Sequence, residues 1–522
     1  MVYSALTLVS RFMGLARDLV ITARLGASQT IAADAYYTAL TFPNLFRRIF
    51  AEGAFAAAFV PDYARRLEAD GDVEANQFAA DAVATLAVAT IIVTLACQLA
   101  MPWLMILYSP GYVADPAKFK LAVILTQITM PYLPCMAIAA LFAGVLTARG
   151  RFVIYGLYPT ILNLVMLAAV LPQHDPTRAA YAASIGVVIA GIGQAGVCWW
   201  GVRRSGARIR PNRLKLTPEI RGLIRRAVPG VIASSATQVN LFISAILASQ
   251  VAGMRVWLNT ADRFYQLPLS LVGVAIGVAL LPRLSSALQR DDHQDVQAGL
   301  DQAIVFGLAL SLPAAAALMG MPVWLVDGLF TRGAFVHADA VASGQLLFHY
   351  GWGVPAFVLI KILQPAFFAR QDTKTPMQFS LISVAVNIVA GVALFYSLGF
   401  AGVAIATGIA SWLTVAQMGV RLSKLEVYRP SRAAWGKIVR VTAASRAMGL
   451  IMALASHFRL VLEAPFAFTG RAKEITVLLV ALVGGLTYPV FLFAFGGVTP
   501  AEVRAALKRR GGEATAPAAD LL

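Results

Sequence analysis

The stretch from Ala32 to Pro61, AADAYYTALTFPNLFRRIFAEGAFAAAFVP, is apolar along most of its length but carries charges in its middle. A helix of this length would span about 45 Å, more than a bilayer core of about 30 Å, so the sequence predicts a break or kink at Pro43. Arg47 and Arg48 then lie near mid-depth, where a charged side chain costs about 2.5–3.5 kcal/mol. A membrane protein keeps such residues when they face a protein interior or a water-filled cavity.

Two interpretations of these arginines stay open. Arg48 has Glu52 one helical turn further on, so the two can form an ion pair that only packs the bundle. Arg47 has no such partner nearby, and a buried cation without a local partner favours an anionic ligand. Asn44 is the remaining polar side chain beside them, and we include it among the candidate ligand contacts.

The composition of the chain is that of a polytopic helical membrane protein. Of its 522 residues, 59% are hydrophobic and 13% are charged, against about 25% charged in soluble proteins. The net charge of +17 lies in short connections between apolar runs, not in a basic domain with interleaved aromatic residues, which excludes a nucleic-acid partner. Three cysteines at wide spacing exclude a disulfide framework, and we expect no cleavable signal peptide.

Apolar runs of spanning length indicate fourteen transmembrane helices. The connections after even-numbered runs carry the lysines and arginines, which predicts that both termini lie on the cytoplasmic side of a bacterial inner membrane. The runs are 3–25, 31–60, 78–108, 119–147, 153–172, 179–202, 222–250, 257–282, 301–327, 340–368, 377–397, 401–422, 436–456 and 474–496.

The two halves of the chain resemble each other, with matching motifs at similar offsets along the sequence. Ala33-Asp34 followed by Pro43 matches Ala261-Asp262 followed by Pro268, and the sequence 148–151 matches 369–372. The repeat predicts an all-α fold of two pseudo-symmetric six-helix lobes plus two C-terminal helices, a pattern typical of transporters with a substrate site between the lobes. The predicted divisions are an N-terminal lobe at 1–202, a basic linker at 203–221, a second lobe at 222–425, a final helix pair at 426–500 and a tail at 501–522.

Further candidate residues lie within the spans. For Arg11 and Arg17 in the first span a cavity-facing position is expected, although Arg17 and Asp18 can also neutralise each other. Arg263 lies near the end of the eighth span. Lys361 interrupts an apolar run, where it either faces the cavity or extends towards the membrane surface.

The candidate set contains more base than acid. There are no histidines at metal-ligand spacing and no nucleotide-binding or nucleophile motif, so we expect no metal, no cofactor and no enzymatic activity. A cavity with surplus arginine favours an anionic substrate, best a phosphate, which a guanidinium binds with two parallel hydrogen bonds.

At this point the motifs resemble the MurJ (MviN) family of lipid II flippases over nearly the whole chain. The residues that carry the resemblance are Ser10-Arg11, Gly14, Ala16-Arg17-Asp18, Asp34-Ala35, Pro43-Asn44-Leu45, Arg47 to Phe55, Phe59-Val60-Pro61, Ala261-Asp262-Arg263, Pro268, Arg370-Gln371-Asp372 and Lys374-Thr375-Pro376.

The resemblance implies a fold of the MOP exporter superfamily, with two lobes around a cationic cavity and a terminal helix pair that forms a groove for a lipid tail. It implies that Arg11, Arg17, Arg47 and Arg263 match functionally important arginines and that Asp34 matches an acidic position. The implied partners are lipid II and membrane lipids, and the implied activity is translocation of lipid II for peptidoglycan synthesis by a monomer.

Three other interpretations are weighed against this one. The first is another exporter of the same superfamily, for polysaccharide lipid intermediates or cationic drugs, and a drug exporter should show surplus acid in the cavity. A membrane enzyme acting on polyprenyl phosphates would need paired acids, a histidine or a metal site. If the protein had only a structural role, its intramembrane arginines would lower the stability without binding a ligand.

Overall fold

The computed structural model describes residues 2–48, 54–210, 217–266, 268–269 and 293–497, and every regular element among them is a helix. Nine helical segments of this described part are long and apolar enough to cross a membrane. The described residues contain no strand, and the helices pack against one another through their apolar faces. The chain is therefore an all-α, multi-pass membrane protein, as its composition predicts.

The helices form two compact units. Unit 1 comprises residues 1–259 and 330–340, and unit 2 comprises 260–329 and 341–522. The helices of unit 1 are α1 (Val2–Leu25), α2 (Ile31–Arg47), α3 (Ala54–Ala69), α4 (Gly71–Tyr108), α5 (Pro116–Thr129), α6 (Tyr132–Ala148), α7 (Phe152–Val170), α8 (Pro176–Arg204), α9 (Pro218–Ser249) and the start of α10, whose described part is 254–266.

Unit 2 begins within α10 and holds the remaining helices, apart from the segment 330–340. They are α11 (His293–Gly320), α12 (Pro322–Phe330), α13 (His337–Gly351), α14 (Val354–Phe368), α15 (Lys374–Leu398), α16 (Ala401–Lys424), α17 (Arg432–His457), α18 (Arg459–Glu463) and α19 (Ala472–Ala494).

The order of helix packing is the same in the two halves of the sequence repeat. In unit 1, α4 packs on α6, α6 on α8, and α8 on α7. In unit 2 the helices at equivalent positions, α11, α14, α16 and α15, pack in the same order. The fourth predicted span is interrupted between α5 and α6, and the tenth between α13 and α14. The helices of each half therefore pack their apolar faces in the same arrangement.

The repeat extends to the backbone of one loop. Gly150, after α6, has a φ of +70°, and Gln371, after α14, has a φ of +59°. The next residue in each loop donates its N–H to the carbonyl five residues earlier, at 2.8 Å from Arg151 and 3.0 Å from Asp372. This is the bond of a helix end closed by a left-handed residue. Two loops that differ in sequence thus share one conformation.

Pro43 does not end α2, so of the predicted break or kink the break is wrong and the kink stays a prediction. The helix continues through Pro43 to Arg47. Proline lacks the N–H that would bond the carbonyl of Ala39, and the hydroxyl of Thr129 on α5 donates to that carbonyl instead, at 2.7 Å. The side-chain amide of Asn44 donates to the next carbonyl, that of Leu40, at 2.9 Å. Neighbouring side chains therefore replace the missing backbone bond, and residues 49–53 lie outside the described part.

Helix α9 is held within unit 1 at both of its ends. At one end Arg226 forms an ion pair with Asp62 of α3. At the other, the N–H of Gly111 donates to the hydroxyl of Ser249 at 3.1 Å, and a Cβ on Gly111 would lie 2.2 Å from the Ser249 carbonyl oxygen. The compact units therefore divide the chain at different places from the predicted lobes at 1–202 and 222–425, which stay a prediction.

A buried ionic cluster fixes the connection between α17 and α19 to α12. The fully buried carboxylate of Asp327 accepts a hydrogen bond from Arg459 at 2.8 Å and lies 3.1 Å from the ammonium of Lys473. Trp324 donates to Glu463 at 2.8 Å. The last two spans are thereby anchored to unit 2 by charge as well as by apolar packing.

Substitution of Gln371 by glycine should stabilise the protein by about 1 kcal/mol, because a left-handed conformation costs a residue with a Cβ about that much. The matched variant Gly150→Ala should destabilise it by a similar amount. No atom lies within 4 Å of the added Cβ, so the strain of the left-handed backbone is the only effect of the substitution. Thermal unfolding in detergent measures both. Shifts of the same sign in the two variants would contradict the shared loop conformation.

Candidate functional site

The first candidate cations lie on α1 and differ in their surroundings. Arg17 donates from Nε and Nη2 to one carboxylate oxygen of Asp18, at 3.0 and 2.7 Å, and both side chains are largely buried. Its charge is therefore compensated within α1, and its contact with a ligand stays a prediction. Arg11 is exposed, two turns earlier, and has no hydrogen bond or ion pair among the described residues. Asn163 of α7 donates to the carbonyl of Ser10 at 3.0 Å and fixes the backbone beside it.

The second pair lies at the end of α2. Asn44 accepts a hydrogen bond from Nε of Arg47 at 2.9 Å, so a neutral side-chain amide helps to orient the guanidinium. Arg47 is half-buried and Arg48 is exposed. Glu52, the predicted partner of Arg48, lies outside the described residues, so that ion pair stays a prediction. The end of α2 thus presents two adjacent guanidinium groups, one of them held by Asn44.

The remaining candidate cations belong to unit 2. Arg263 is half-buried on α10, next to Asp262. Tyr265, one turn along α10 from Asp262, stacks at 5.4 Å on Phe357 of α14. Lys361 lies one turn beyond Phe357 and is exposed on an otherwise buried stretch of α14. The geometry brings the helices of Arg263 and Lys361 into contact within unit 2, as a shared site requires.

Asp34, which the motif predicts as a substrate contact, has protein partners in this conformation, and its contact with a substrate stays a prediction. It is fully buried, and one carboxylate oxygen accepts hydrogen bonds from Nζ of Lys118 at 2.5 Å and from the backbone N–H of Gly253 at 2.8 Å. The ammonium of Lys118 also lies 4.4 Å from the centre of the Tyr112 ring. A buried carboxylate is stable only when it is paired and hydrogen-bonded. In this conformation Asp34 links α2, α5 and the turn 250–253, and is closed to a substrate.

A second buried carboxylate, Asp339, makes a similar link. One oxygen accepts hydrogen bonds from the backbone N–H of Ser28 and from Nε1 of Trp257, both at 3.0 Å. The other accepts from the backbone N–H of Val336 at 3.2 Å. Asp339 is fully buried and belongs, with all these partners, to unit 1. It fastens the loop between α1 and α2 to α10 and to the loop before α13.

The two links are reciprocal with respect to the sequence repeat. Ser28 and Gly253 lie in equivalent loops, after the first and seventh spans, and each gives its backbone N–H to a carboxylate of the other half. The loops also touch, since a Cβ on Gly253 would lie 2.8 Å from the nitrogen of Ser28. Gly253 has a φ of +84°, which also requires glycine. We call this region, formed by the loops 26–30, 109–115, 250–253 and 331–336, the Ser28 end of unit 1.

A buried arginine completes the Ser28 end. Arg255 donates from Nη2 to the hydroxyl of Ser109 at 2.7 Å and to the carbonyl of Ala245 at 2.9 Å. Its guanidinium lies 4.9 Å from the centre of the Tyr108 ring. Backbone carbonyls and aromatic faces stabilise a cation that has been removed from water. Arg255 therefore holds α10 to the end of α4 and is not available to a ligand.

Sequence reasoning found the candidate cations but missed the residues of the Ser28 end. Lys118 and Asp339 were missed because each is a single charge at the edge of an apolar run, where a solvated position is the usual outcome. One signal was present. Each is the third residue of its helix, α5 and α13, and the two stand at equivalent positions of the repeat with opposite charges.

The comparison with known families supports the resemblance that the sequence motifs indicate. The family model described as lipid II flippase MurJ matches residues 21–468. The chain belongs to this family. A relative from Rhizobium tropici, named probable lipid II flippase MurJ, is 38% identical over 98% of this chain and 96% of its own length. A Burkholderia cenocepacia protein named lipid II flippase MurJ is 32% identical over 82% of this chain and 84% of its own length.

Solved structures support the same fold. A structure of a lipid II flippase MurJ, described as an inward closed conformation, superposes with a TM-score of 0.76 at 22% identity and covers 94% of this chain and 98% of that one. An inward-facing multidrug transporter of the MATE family, within the MOP superfamily, gives a TM-score of 0.64 at 14% identity, covering 81% of this chain and 98% of that one. The chain has the fold of the MOP transporters, as its motifs imply.

Replacement of Asp339 by asparagine should lower the free energy of unfolding by about 1.5–3 kcal/mol, the usual contribution of a hydrogen bond to a charged group. The shape of the side chain is kept and its charge is lost. Asp115→Asn is the matched control, because Asp115 only caps α5 by accepting from the N–H groups of Ala117 and Lys118, and asparagine caps equally well. Equal losses of thermal stability in detergent would contradict a special role for Asp339.

Proposed function

We propose that the protein is a lipid II flippase, which moves the undecaprenyl-diphosphate-linked peptidoglycan precursor from the inner to the outer leaflet by alternating access. The observation that carries the proposal is the surplus of guanidinium groups on α1 and α2. Arg11 and Arg48 have no carboxylate partner among the described residues, and Arg47 is oriented by the neutral Asn44. Membership of a family whose relatives carry that name supports it.

The proposed substrate contacts follow from the chemistry of the diphosphate. Two phosphates in sequence offer several oxygens, and a guanidinium binds two of them with parallel N–H groups. Arg11, Arg47 and Arg48 are proposed to supply this contact on α1 and at the end of α2, and Arg263 and Lys361 are proposed as further substrate contacts on α10 and α14. Arg17 contacts the substrate when its guanidinium exchanges the Asp18 carboxylate for a phosphate oxygen. Asp34 is proposed as a positioning residue that binds the turn 250–253 and does not touch the substrate.

The proposed orientation places both termini in the cytoplasm, because the cation-rich connections follow the even-numbered spans. The Ser28 end of unit 1 then faces the outside, and the links through Asp34 and Asp339 keep that side shut. Release of the substrate to the outer leaflet requires both carboxylates to give up their backbone donors. The protein would act as a monomeric transporter in the inner membrane, without enzymatic chemistry, with the lipid tail beside α17 and α19.

The membrane potential can supply energy for the cycle. Moving one charge through 100 mV is worth about 2.3 kcal/mol, so a diphosphate that moves outward gains roughly twice that. The empty, arginine-rich cavity is drawn back towards the negative interior. The substrate and the binding site therefore respond to the same field in successive halves of the cycle.

Substitution of Arg47 by alanine should slow the transfer of lipid II to the outer leaflet of proteoliposomes by about 10- to 100-fold, the equivalent of a charged hydrogen bond worth 1.5–3 kcal/mol. Arg47→Lys should recover only part of the rate, because an ammonium lacks the planar fork. Asn44→Ala should raise the lipid II concentration needed for half-maximal rate. The control, Arg178→Ala, removes an exposed arginine at the start of α8. A normal rate in Arg47→Ala would refute the proposed site.

A potassium diffusion potential tests the energetic part of the proposal. With protein oriented in one direction in the vesicles, a potential that is negative on the side of the termini should accelerate outward transfer of lipid II severalfold, and the reverse potential should slow it. The same vesicles without a potential are the reference. Equal rates at both polarities would exclude the membrane potential as a driving force, while leaving the substrate assignment intact.

A further inference from the structure

Arg446 lies in the middle of a helix that can span the membrane, on the face exposed from unit 2. Helix α17 is one of the candidate spans, and Arg446 follows its first residue by about four turns. Val439 and Leu450 are 62% and 63% exposed and lie on the same side of the helix. A charged side chain among lipid-facing apolar groups is costly unless an anion or water accompanies it.

The described part of the chain places no carboxylate against Arg446. Arg446 forms no hydrogen bond or ion pair among the described residues. Helices α17 and α19, which pack together, carry a single carboxylate between them, Glu474. Glu474 stands at the start of α19, and α19 runs antiparallel to α17, so that Gly484 meets Met452 and Gly496 meets Arg440. Glu474 is therefore at the opposite end of the pair from Arg440, and is too far from Arg446 to neutralise it.

The depth of Arg446 follows from its neighbours. Arg440 donates from Nη1 to the carbonyl of Gly496 at 3.1 Å, and Gly496 closes the end of α19. Trp435 is 56% exposed on the same face as Arg446, three turns towards the Arg432 end. Exposed tryptophans and helix ends are typical of the membrane surface. Arg446 lies six residues beyond Arg440, or about 9 Å deeper, from where a long side chain extends back towards the headgroups.

We propose that Arg446, with Arg440 above it, binds the phosphate of an anionic phospholipid in the leaflet at the Arg432 end of α17. A guanidinium matches a phosphodiester with two parallel N–H groups. Arg440 lies about 120° around the helix from Arg446 and uses one nitrogen for the Gly496 carbonyl, so it adds positive charge near the phosphate without sharing the same face. The site is separate from the proposed substrate contacts on α1 and α2. In the proposed orientation it faces the cytoplasmic leaflet, although the test does not depend on that orientation.

The occupant is a bulk phospholipid because the site is open along the outer face of unit 2. Exposed apolar side chains flank it on both helices, among them Val439, Leu450 and Val490. Acyl chains can lie along this face while the phosphate contacts Arg446. A singly charged phosphodiester also balances the one uncompensated cation at this depth, whereas a diphosphate would bring a surplus of negative charge.

Native mass spectrometry of the full chain in detergent, titrated with phosphatidylglycerol or phosphatidylcholine, tests the proposal. Arg446→Gln should weaken the tightest phosphatidylglycerol binding step about fivefold, the effect expected of one cation at a membrane surface. Arg446→Lys should lie between this variant and the wild type. Phosphatidylcholine binding should not change in any of them.

The matched control is Arg471→Gln, which removes an exposed arginine at the far end of the same helix pair and should leave phosphatidylglycerol binding unchanged. Thermal unfolding checks that the variants are folded, and Arg446→Leu should be at least as stable as the wild type because leucine suits a lipid-facing position. Unchanged phosphatidylglycerol binding in Arg446→Gln would overturn the proposal. Displacement of phosphatidylglycerol by equimolar undecaprenyl diphosphate in the wild type alone would assign the site to the transported lipid and overturn the phospholipid assignment.

Discussion

The constraint on which unit 1 depends is the need of a buried carboxylate for hydrogen-bond donors. Asp34 and Asp339 are both fully buried, and both take a donor from the backbone of a loop in the other half of the repeat. A carboxylate left dry and unpaired is very costly. The Ser28 end is thus stable in two situations, with the loops in contact or with water in their place. At intermediate separations each carboxylate lacks one backbone donor until water replaces it, which favours a switch between two states over a gradual opening.

Compensated and uncompensated cations occupy different places in unit 1. Lys118 is paired with Asp34, Arg255 is surrounded by carbonyls and aromatic rings, and Arg17 is bound by Asp18. These charges stabilise the closed arrangement of the helices. Arg11 and Arg48 have no such compensation in the described part of the chain. Arginine is therefore compensated at some positions of unit 1 and not at others, and the difference lies in the neighbouring residues.

The two halves of the repeat share a backbone and differ in polar chemistry. Gly150 and Gln371 adopt the same left-handed conformation after equivalent helices. Lys118 and Asp339 stand at the same place in α5 and α13 with opposite charges. Packing of apolar helix faces tolerates many side chains, so it keeps the helix order the same in both halves. A buried charge requires a complementary partner, and that partner differs between the two halves.

The sequence by itself determined that the chain is a helical membrane protein with an internal repeat, and that its intramembrane charge is mostly basic. The length of hydrophobic runs and the asymmetry of loop charge are local properties of the sequence, and in a bilayer they directly determine the membrane-spanning segments. The motif around Arg47 also indicated the family. Only the tertiary structure decided which buried charges are compensated by partners from distant parts of the chain, as Asp34 is by Lys118 and Gly253. It also decided that α2 continues through Pro43, since the hydroxyl that replaces the missing N–H comes from Thr129 on another helix.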